Sequence, residues 1–262
     1  MDAKEAAAHW EGNAEAWTAL SRAGYDKYRD ALNTPAFLAM LPPVAGLDGL
    51  DIGCGEGTNT RAVARLGARM TGLDVAPTFI CHARETEAGD PLGIDYVVGD
   101  GQNLDFPPER FDFVTAFMSL MDMPDQAHVL KGVHRVLRPG GFLQFSILHP
   151  CFVPPMRRNI RDENGAPVAV QVADYFQEAD GRIERWLFSS MPAGERDKYP
   201  LFSVPRFHRT LTSWVSMIVE AGLSIEAFGE PMASEEVAAA EPIVADTRVA
   251  PIFLHVRARK PL

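Results

Sequence analysis

Between about Gly49 and Ile147, short apolar runs alternate with longer stretches in which apolar residues recur every three to four positions. Short runs bounded by glycine, proline or aspartate fit buried strands, and the longer amphipathic stretches fit crossover helices. The pattern predicts strands at Leu50–Ile52, Arg69–Asp74, Asp95–Val98, Phe111–Phe117 and Phe142–Leu148, with helices at about Thr58–Leu66, Thr78–Glu87 and Pro124–Leu137. The last helix carries Val129, Leu130, Val133, Val136 and Leu137 on one stripe and stops at Pro139-Gly140-Gly141, which feeds the next strand. Strands joined by helices give an α/β fold with parallel strands. After His149 the periodicity dissolves until about Arg209. A helix at Leu211–Ala221, ending at Gly222, and strands near Ser224–Phe228 and Ile252–Arg259 then close the chain. About sixty residues without elements of their own suit a lid or binding loop better than an inert connector, so Pro150–His208 is expected to face a substrate.

Composition narrows the picture. A chain of 262 residues that is 47% hydrophobic can bury one large core, so a single domain with extensions is expected. No stretch approaches the roughly 18 apolar residues of a membrane span, and Met1–Glu15 lacks the apolar run of a secretory signal. Cys54, Cys81 and Cys151 are an odd set without CxxC pairs, which suggests reduced thiols, a cytoplasmic location and no metal site. A formal charge of -10 opposes a nucleic-acid partner, and the densest basic cluster, Arg157, Arg158 and Arg161, reads as a solvated loop.

The sharpest local signal is Leu50-Asp51-Ile52-Gly53-Cys54-Gly55-Glu56-Gly57, a strand entering a glycine turn that opens a helix at Thr58. Glycines there admit positive φ and close approach of a ligand, while the helix start offers free N–H groups. A dinucleotide fingerprint, GxGxxG, would need glycine where Thr58 stands, and Asp51 suits a ligand bearing an ammonium group. A second acid, Asp74, ends the next strand 21 residues after Gly53, where a carboxylate accepts hydrogen bonds from a ribose diol. A third, Asp100 in Val98-Gly99-Asp100-Gly101-Gln102, follows the third strand and is placed to specify a base.

Asp51–Gly57, Asp74, Asp100, Phe111–Leu120 and His134–Gly141 together resemble the successive motifs of class I S-adenosylmethionine-dependent methyltransferases of the small-molecule type. The resemblance covers residues 45 to 148 closely. It implies a doubly wound, mostly parallel seven-stranded sheet with helices on both faces, an N-terminal helical arm over 1–48, a cofactor-binding core over 49–149, a lid over 150–208 and sheet-completing elements over 209–262. It further implies that Gly53, Gly55 and Gly57 pack against the methionine part of S-adenosyl-L-methionine, with Asp51, Cys54, Asn59 and Thr60 around them. Asp74 and Val75 would hold the ribose, Asp100, Gly101 and Gln102 the adenine, and Phe117, Met118 and Ser119 would face the sulfonium. Tyr25–Asn33 is similar to the arm that closes over the cofactor, so Tyr28 and Arg29 would meet its carboxylate. The implied partner is a small-molecule acceptor, methylated on oxygen, nitrogen or carbon with release of S-adenosyl-L-homocysteine, with a homodimer as the candidate assembly. A NAD-dependent oxidoreductase and a non-catalytic binding module are the competing readings. A nucleic-acid amine target would instead call for an Asn/Asp-Pro-Pro run where Phe117-Met118-Ser119-Leu120 stands.

If the acceptor needs a base, His149 after the fifth strand, His208 before the late helix and Asp122 after the fourth strand are the candidates. His128 and His134 lie on a surface-type helix, and His9, His82 and His255 show no chemical partner. Met118 is assigned to a pocket and Met121 to the core. Of Phe152, Tyr175, Phe176, Trp186, Phe188 and Phe202 in the insertion, about half are expected to wall the acceptor and the rest to pack the cap.

Overall fold

The computed structural model describes residues 1–262. Helix α1 (Ala3–Arg22) is opened by a reciprocal cap between Asp2 and Glu5; a π-helical turn (Arg29–Asn33) and α2 (Thr34–Met40) complete the arm. Then come β1 (Asp48–Ile52), α3 (Thr58–Ala64), β2 (Arg69–Asp74), α4 (Pro77–Gly89), β3 (Asp95–Val98), β4 (Phe111–Phe117), a 3-10 turn (Leu120–Asp122), α5 (Gln126–Val136) and β5 (Leu137–Leu148). The remainder holds β6 (Met156–Arg161), β7 (Pro167–Ala173), β8 (Arg182–Trp186), α6 (Ala193–Arg196), β9 (Phe202–Arg206), α7 (Leu211–Glu220), β10 (Ser224–Gly229), α8 (Glu235–Ala240), a 3-10 turn (Pro242–Arg248) and β11 (Phe253–Arg259).

Seven strands form one sheet in the order β10-β11-β5-β4-β1-β2-β3, parallel except for β11, which runs antiparallel to both of its neighbours. The chain winds outward from β1 to β3, returns to β4 on the other side of β1, and continues to β5. Direction reverses between β1 and β4, and in such sheets the ligand crevice opens beyond the carboxyl ends of the strands at that point.

β4 shows why the fold is legible. Its continuous apolar run is covered on both faces: Val114 and Ala116 enter a 23-residue cluster with α5 and α7, while Phe113 and Phe117 enter a 14-residue cluster with α2, α3 and α4. The stripe foreseen on α5 is fully buried at Val129, Leu130, Val133 and Val136.

Two expectations need correction. β5 begins at Leu137 rather than Phe142, because Gly140 N–H donates to Lys260 C=O and Lys260 N–H to Gly141 C=O, drawing the glycine turn into the sheet. The insertion is also not irregular: it holds two antiparallel hairpins, β6–β7 and β8–β9. β6, Met-Arg-Arg-Asn-Ile-Arg, buries neither face deeply, so it carries no apolar alternation to read. The β8–β9 hairpin packs on α1, with the Trp17 ring centroid 5.5 Å from Trp186, 5.1 Å from Phe188 and 4.8 Å from Phe202.

Candidate functional site

One cavity of about 590 Å³ lies over the carboxyl ends of β1, β2 and β4. Its inner end is lined by Gly53, Cys54, Gly55, Asn59, Asp74, Val75, Asp100, Gly101, Gln102, Phe117, Met118 and Ser119, with Ala3, Ala6, Ala7 and Trp10 of α1 closing over it. Tyr28 and Arg29 line it from the arm, and Arg29 reaches Glu56 of the glycine turn; the rest is walled by the 3-10 turn after β4, the hairpins and the start of β11, through Asp122, Arg157, Glu184, Trp186, Phe188, Arg206 and Phe253.

The glycine turn follows from sterics. Gly53 has φ +71°, and a Cβ there would sit 2.4 Å from Ser119 Cβ, so only glycine lets β1 and β4 end side by side. Ser119 Oγ donates to Ile52 C=O at 2.6 Å and ties the two tips together. Gly55, at φ +55°, has open space where a Cβ would be, so its backbone faces the cavity bare. Asp74 braces the turn by accepting from Gly55 N–H and Ala76 N–H, both at 2.9 Å, and burial pushes its carboxyl up to about 6. Asp100 shapes the next rim by accepting from Gln102 N–H at 2.8 Å.

Met118 holds the strained tip of β4, with φ 55°. Its N–H donates to Ser146 C=O at 3.0 Å and to Ser146 Oγ at 3.2 Å; Asn33 Nδ2 donates to the same Oγ at 3.3 Å. Asn33 Oδ1 in turn pairs with His255 Nε2 at 2.7 Å. Because Oδ1 only accepts, Nε2 is the protonated nitrogen, and burial, which pulls His255 down to about 4, keeps the ring neutral. His255 therefore has a partner after all, and it anchors the arm to the sheet beside the cavity.

Several expected site residues do not line the cavity. Asp51 is buried beneath the turn, where Thr60 Oγ1 donates to it at 2.5 Å and Thr115 Oγ1 at 2.9 Å, so Asp51 and Thr60 join β1, α3 and β4. Gly57 is required by Tyr96, whose hydroxyl would lie 2.5 Å from an added Cβ. His149 is buried with Nε2 on Glu230 at 2.9 Å and Nδ1 accepting from Cys151 N–H at 3.2 Å. His208 pairs with Tyr175 C=O at 2.9 Å, and burial lowers its pKa. Neither histidine lines the cavity. The Tyr28 ring lines the cavity, yet its hydroxyl donates toward Ile243 C=O at 2.7 Å and Asp246 at 2.9 Å. Arg29 is engaged by Ser21, Glu56 and Asp30. Of the insertion aromatics only Trp186 and Phe188 line the cavity; Met118 does so as expected, and Met121 lines it as well as packing on the core.

Asp122 stands apart among the acid–base candidates. It lines the cavity, makes no side-chain hydrogen bond, and is held well above the usual carboxylate range by burial, opposed by Arg206 and reinforced by Glu184. Arg206 and Glu184 are cavity residues that the sequence did not single out; Glu56 lay unremarked inside the glycine turn, Asn33 at the end of the arm segment, and Arg157 in the basic cluster read as a solvated loop.

Two expected outcomes follow from these positions. His149→Ala should lower stability by about 1–3 kcal/mol by orphaning Cys151 N–H, with the melting temperature as readout and ligand affinity unchanged. Burial pushes Asp51 up to about 7, so between the ordinary carboxylate range and pH 7 the folded chain keeps a proton that the unfolded chain releases. The contribution of Asp51 to stability therefore falls as pH rises through that window. Asp26 and Asp74, each pushed up to about 6, and Asp122, also raised by burial, act with the same sign, while His255, pulled down to about 4, acts with the opposite one. Between pH 6 and 7 the Asp51→Asn variant should lose this downward contribution to the pH slope of the melting temperature; an unaltered slope would refute the assignment.

Residues 50–145 match the sequence family described as a methyltransferase domain. A crystal structure of an S-adenosylmethionine-dependent methyltransferase from Mesorhizobium loti is 30% identical, with 86% of this chain and 96% of that one covered at a TM-score of 0.69. The chain belongs to the S-adenosylmethionine-dependent methyltransferases. A Listeria monocytogenes structure described as a putative member, 23% identical with 88% and 97% coverage and a TM-score of 0.70, shares the fold. Among curated relatives, a ubiquinone biosynthesis O-methyltransferase of Methylobacterium sp. (strain 4-46) is 43% identical over 101 residues, 38% of this methyltransferase and 40% of that one. A second, from Pseudomonas syringae pv. tomato, is 35% identical over 109 residues, 40% and 46% of the two chains. This methyltransferase thus spans less than half the length of the curated relatives it matches. No helix is long and apolar enough to cross a membrane.

Proposed function

We propose that this methyltransferase transfers a methyl group to a hydroxyl oxygen of a small, flat molecule. The observation that carries the reading is the continuity of the cavity: the rim built by Gly53, Gly55, Asp74 and Asp100 opens directly into a chamber walled by Trp186, Phe188 and Asp122. When bound, S-adenosyl-L-methionine supplies a methyl group already activated by its sulfonium.

The residues of the rim fit that cofactor. The bare backbone at Gly55 leaves room for the methionine end, with Gly53, Cys54 and Asn59 beside it, and Asp51, Thr60 and Gly57 support the turn from below. Asp74, with Val75, offers a charged acceptor to the ribose hydroxyls, and Asp100, Gly101 and Gln102 border the adenine. Arg29 and the Tyr28 ring close the methionine end from the arm, while Phe117, Met118 and Ser119 form the wall between the two ends of the cavity.

Oxygen as the acceptor atom is supported by the relatives named O-methyltransferases. Asp122 suits the proton: a carboxyl raised by burial is better matched to a hydroxyl than an ordinary one. Alignment of acceptor and cofactor supplies most of the acceleration, roughly 7–11 kcal/mol in well-oriented systems. The family match ends at residue 145, before the hairpins, so the parts of the chain outside it build much of the acceptor chamber. Unpaired Cys54, Cys81 and Cys151 support a reducing, cytoplasmic setting, and the net charge of -10 supports a small-molecule partner over a nucleic acid.

The test is formation of S-adenosylhomocysteine with a panel of phenols and catechols against their methyl ethers and matching anilines. Turnover with hydroxyl compounds alone is expected; turnover confined to the anilines would overturn the oxygen assignment.

A further inference from the structure

Three arginines line the cavity, and they differ in how their donors are used. Arg29 is engaged by Ser21, Glu56 and Asp30. Arg206 is engaged by Glu184 at 3.1 Å and by Val153 C=O. Arg157, on β6, makes one long hydrogen bond, from Nη2 to Asp246 Oδ2 at 3.4 Å, and its Nε is buried without a partner. The Arg157 side chain is only 15% exposed. It is not the solvated loop residue that the basic cluster suggested, because β6 turns it into the chamber.

Asp246 balances the charge of this guanidinium through an ion pair at 3.4 Å but does not fill its fork. Its two oxygens accept shorter hydrogen bonds from Tyr28 Oη and Asn159 Nδ2, each at 2.9 Å, and Arg157 Nε stays without a partner. A guanidinium carries five N–H donors in a planar fork and cannot shed its charge. Withdrawing such a group from water with most of its donors unfilled is unfavourable unless a ligand fills them. The fork matches a carboxylate, which accepts two parallel hydrogen bonds from it. The other charged groups of this end leave the position open to an anion: Arg206 and Glu184 are paired, and Asp122 is held toward its neutral form. Trp186 and Phe188 add flat apolar walls.

We propose that Arg157 receives a carboxylate of the methyl acceptor, which makes the acceptor a small aromatic acid and Arg157 the residue that selects acids over their neutral amides. The inference rests on the outer chamber being the acceptor site, as proposed above. It assigns a specificity-determining role to a hairpin outside the family match.

Calorimetry on the full chain tests it, with the probes 4-hydroxyphenylacetate and 4-hydroxyphenylacetamide titrated after saturation with S-adenosylhomocysteine. The two probes share shape and hydroxyl and differ in charge. The acid is expected to bind at least about tenfold more tightly than the amide, as a bidentate charge-assisted pair allows. Arg157→Gln should abolish that preference by weakening the acid alone, and Arg157→Lys, which keeps the charge without the fork, should retain only part of it. S-adenosylhomocysteine affinity, measured first on every variant, is expected to be unchanged and reports that the fold and the rim are intact. Lack of S-adenosylhomocysteine binding by the unmodified protein would defeat the proposed function itself. With that binding intact, equal affinity for the two probes, binding of neither, or a preference that survives in Arg157→Gln would overturn the inference.

Discussion

Asp122→Asn is expected to lower methyl transfer to a hydroxyl acceptor by about 10²–10⁴-fold, the usual contribution of a positioned proton acceptor. Affinity for S-adenosylhomocysteine should move by less than about twofold, because no rim contact is removed and the amide keeps the carboxyl's shape. The reasoning rests on position and environment together. Asp122 is held by the 3-10 turn that follows β4, its backbone N–H bonded to Ser119 C=O at 3.0 Å, so the tip that borders the cofactor rim also aims the carboxyl into the chamber. Burial and Glu184 favour the neutral form, and only Arg206 opposes them. The carboxylate needed to take a proton then forms as pH rises through the elevated pKa, so the rate should climb with pH in the unmodified enzyme and lose that limb in the asparagine variant. Initial rates across pH with a phenolic acceptor provide the check; a rate within about twofold of the original would remove Asp122 from the chemistry.

Asp74→Ala should weaken binding of S-adenosylhomocysteine by about 1–3 kcal/mol, roughly five- to 150-fold in dissociation constant. Two losses combine. The ribose hydroxyls lose a charged acceptor, and Gly55 N–H and Ala76 N–H lose the carboxylate that fixes the turn around the ligand. Because burial pushes this carboxyl up to about 6, affinity of the unmodified protein should also decline as pH falls below about 6 and the acceptor is protonated. Calorimetric titrations at two pH values measure both effects. An alanine variant with unchanged affinity would exclude Asp74 from the ribose site.

What could be read from the chain and what could not divide along a physical line. The glycine turn, Asp74, Asp100 and the buried run of β4 depend on neighbours close in sequence or on a strand covered on both faces, and both leave local marks. His149 and His208 seemed free because their partners, Glu230 and the Tyr175 carbonyl, lie 81 and 33 residues away. Asp51 looked like a ligand contact because its position in the motif says nothing of Thr115, 64 residues on, which draws it beneath the turn. The hairpins escaped notice because a strand that buries neither face has no period of two to display, and Arg157 reached the cavity from just such a strand.

The bond between Asn33 and His255 joins groups 222 residues apart, and Arg257 of the same strand donates to Met40 C=O at the end of α2. The roof over the crevice is thus fastened to a strand made long after the arm it holds. During synthesis the glycine turn and its acids emerge early but remain uncovered until Phe253–Arg259 threads between β5 and β10. Ligand held in the crevice therefore favours, by mass action, the state in which that strand is docked and the arm is tied down.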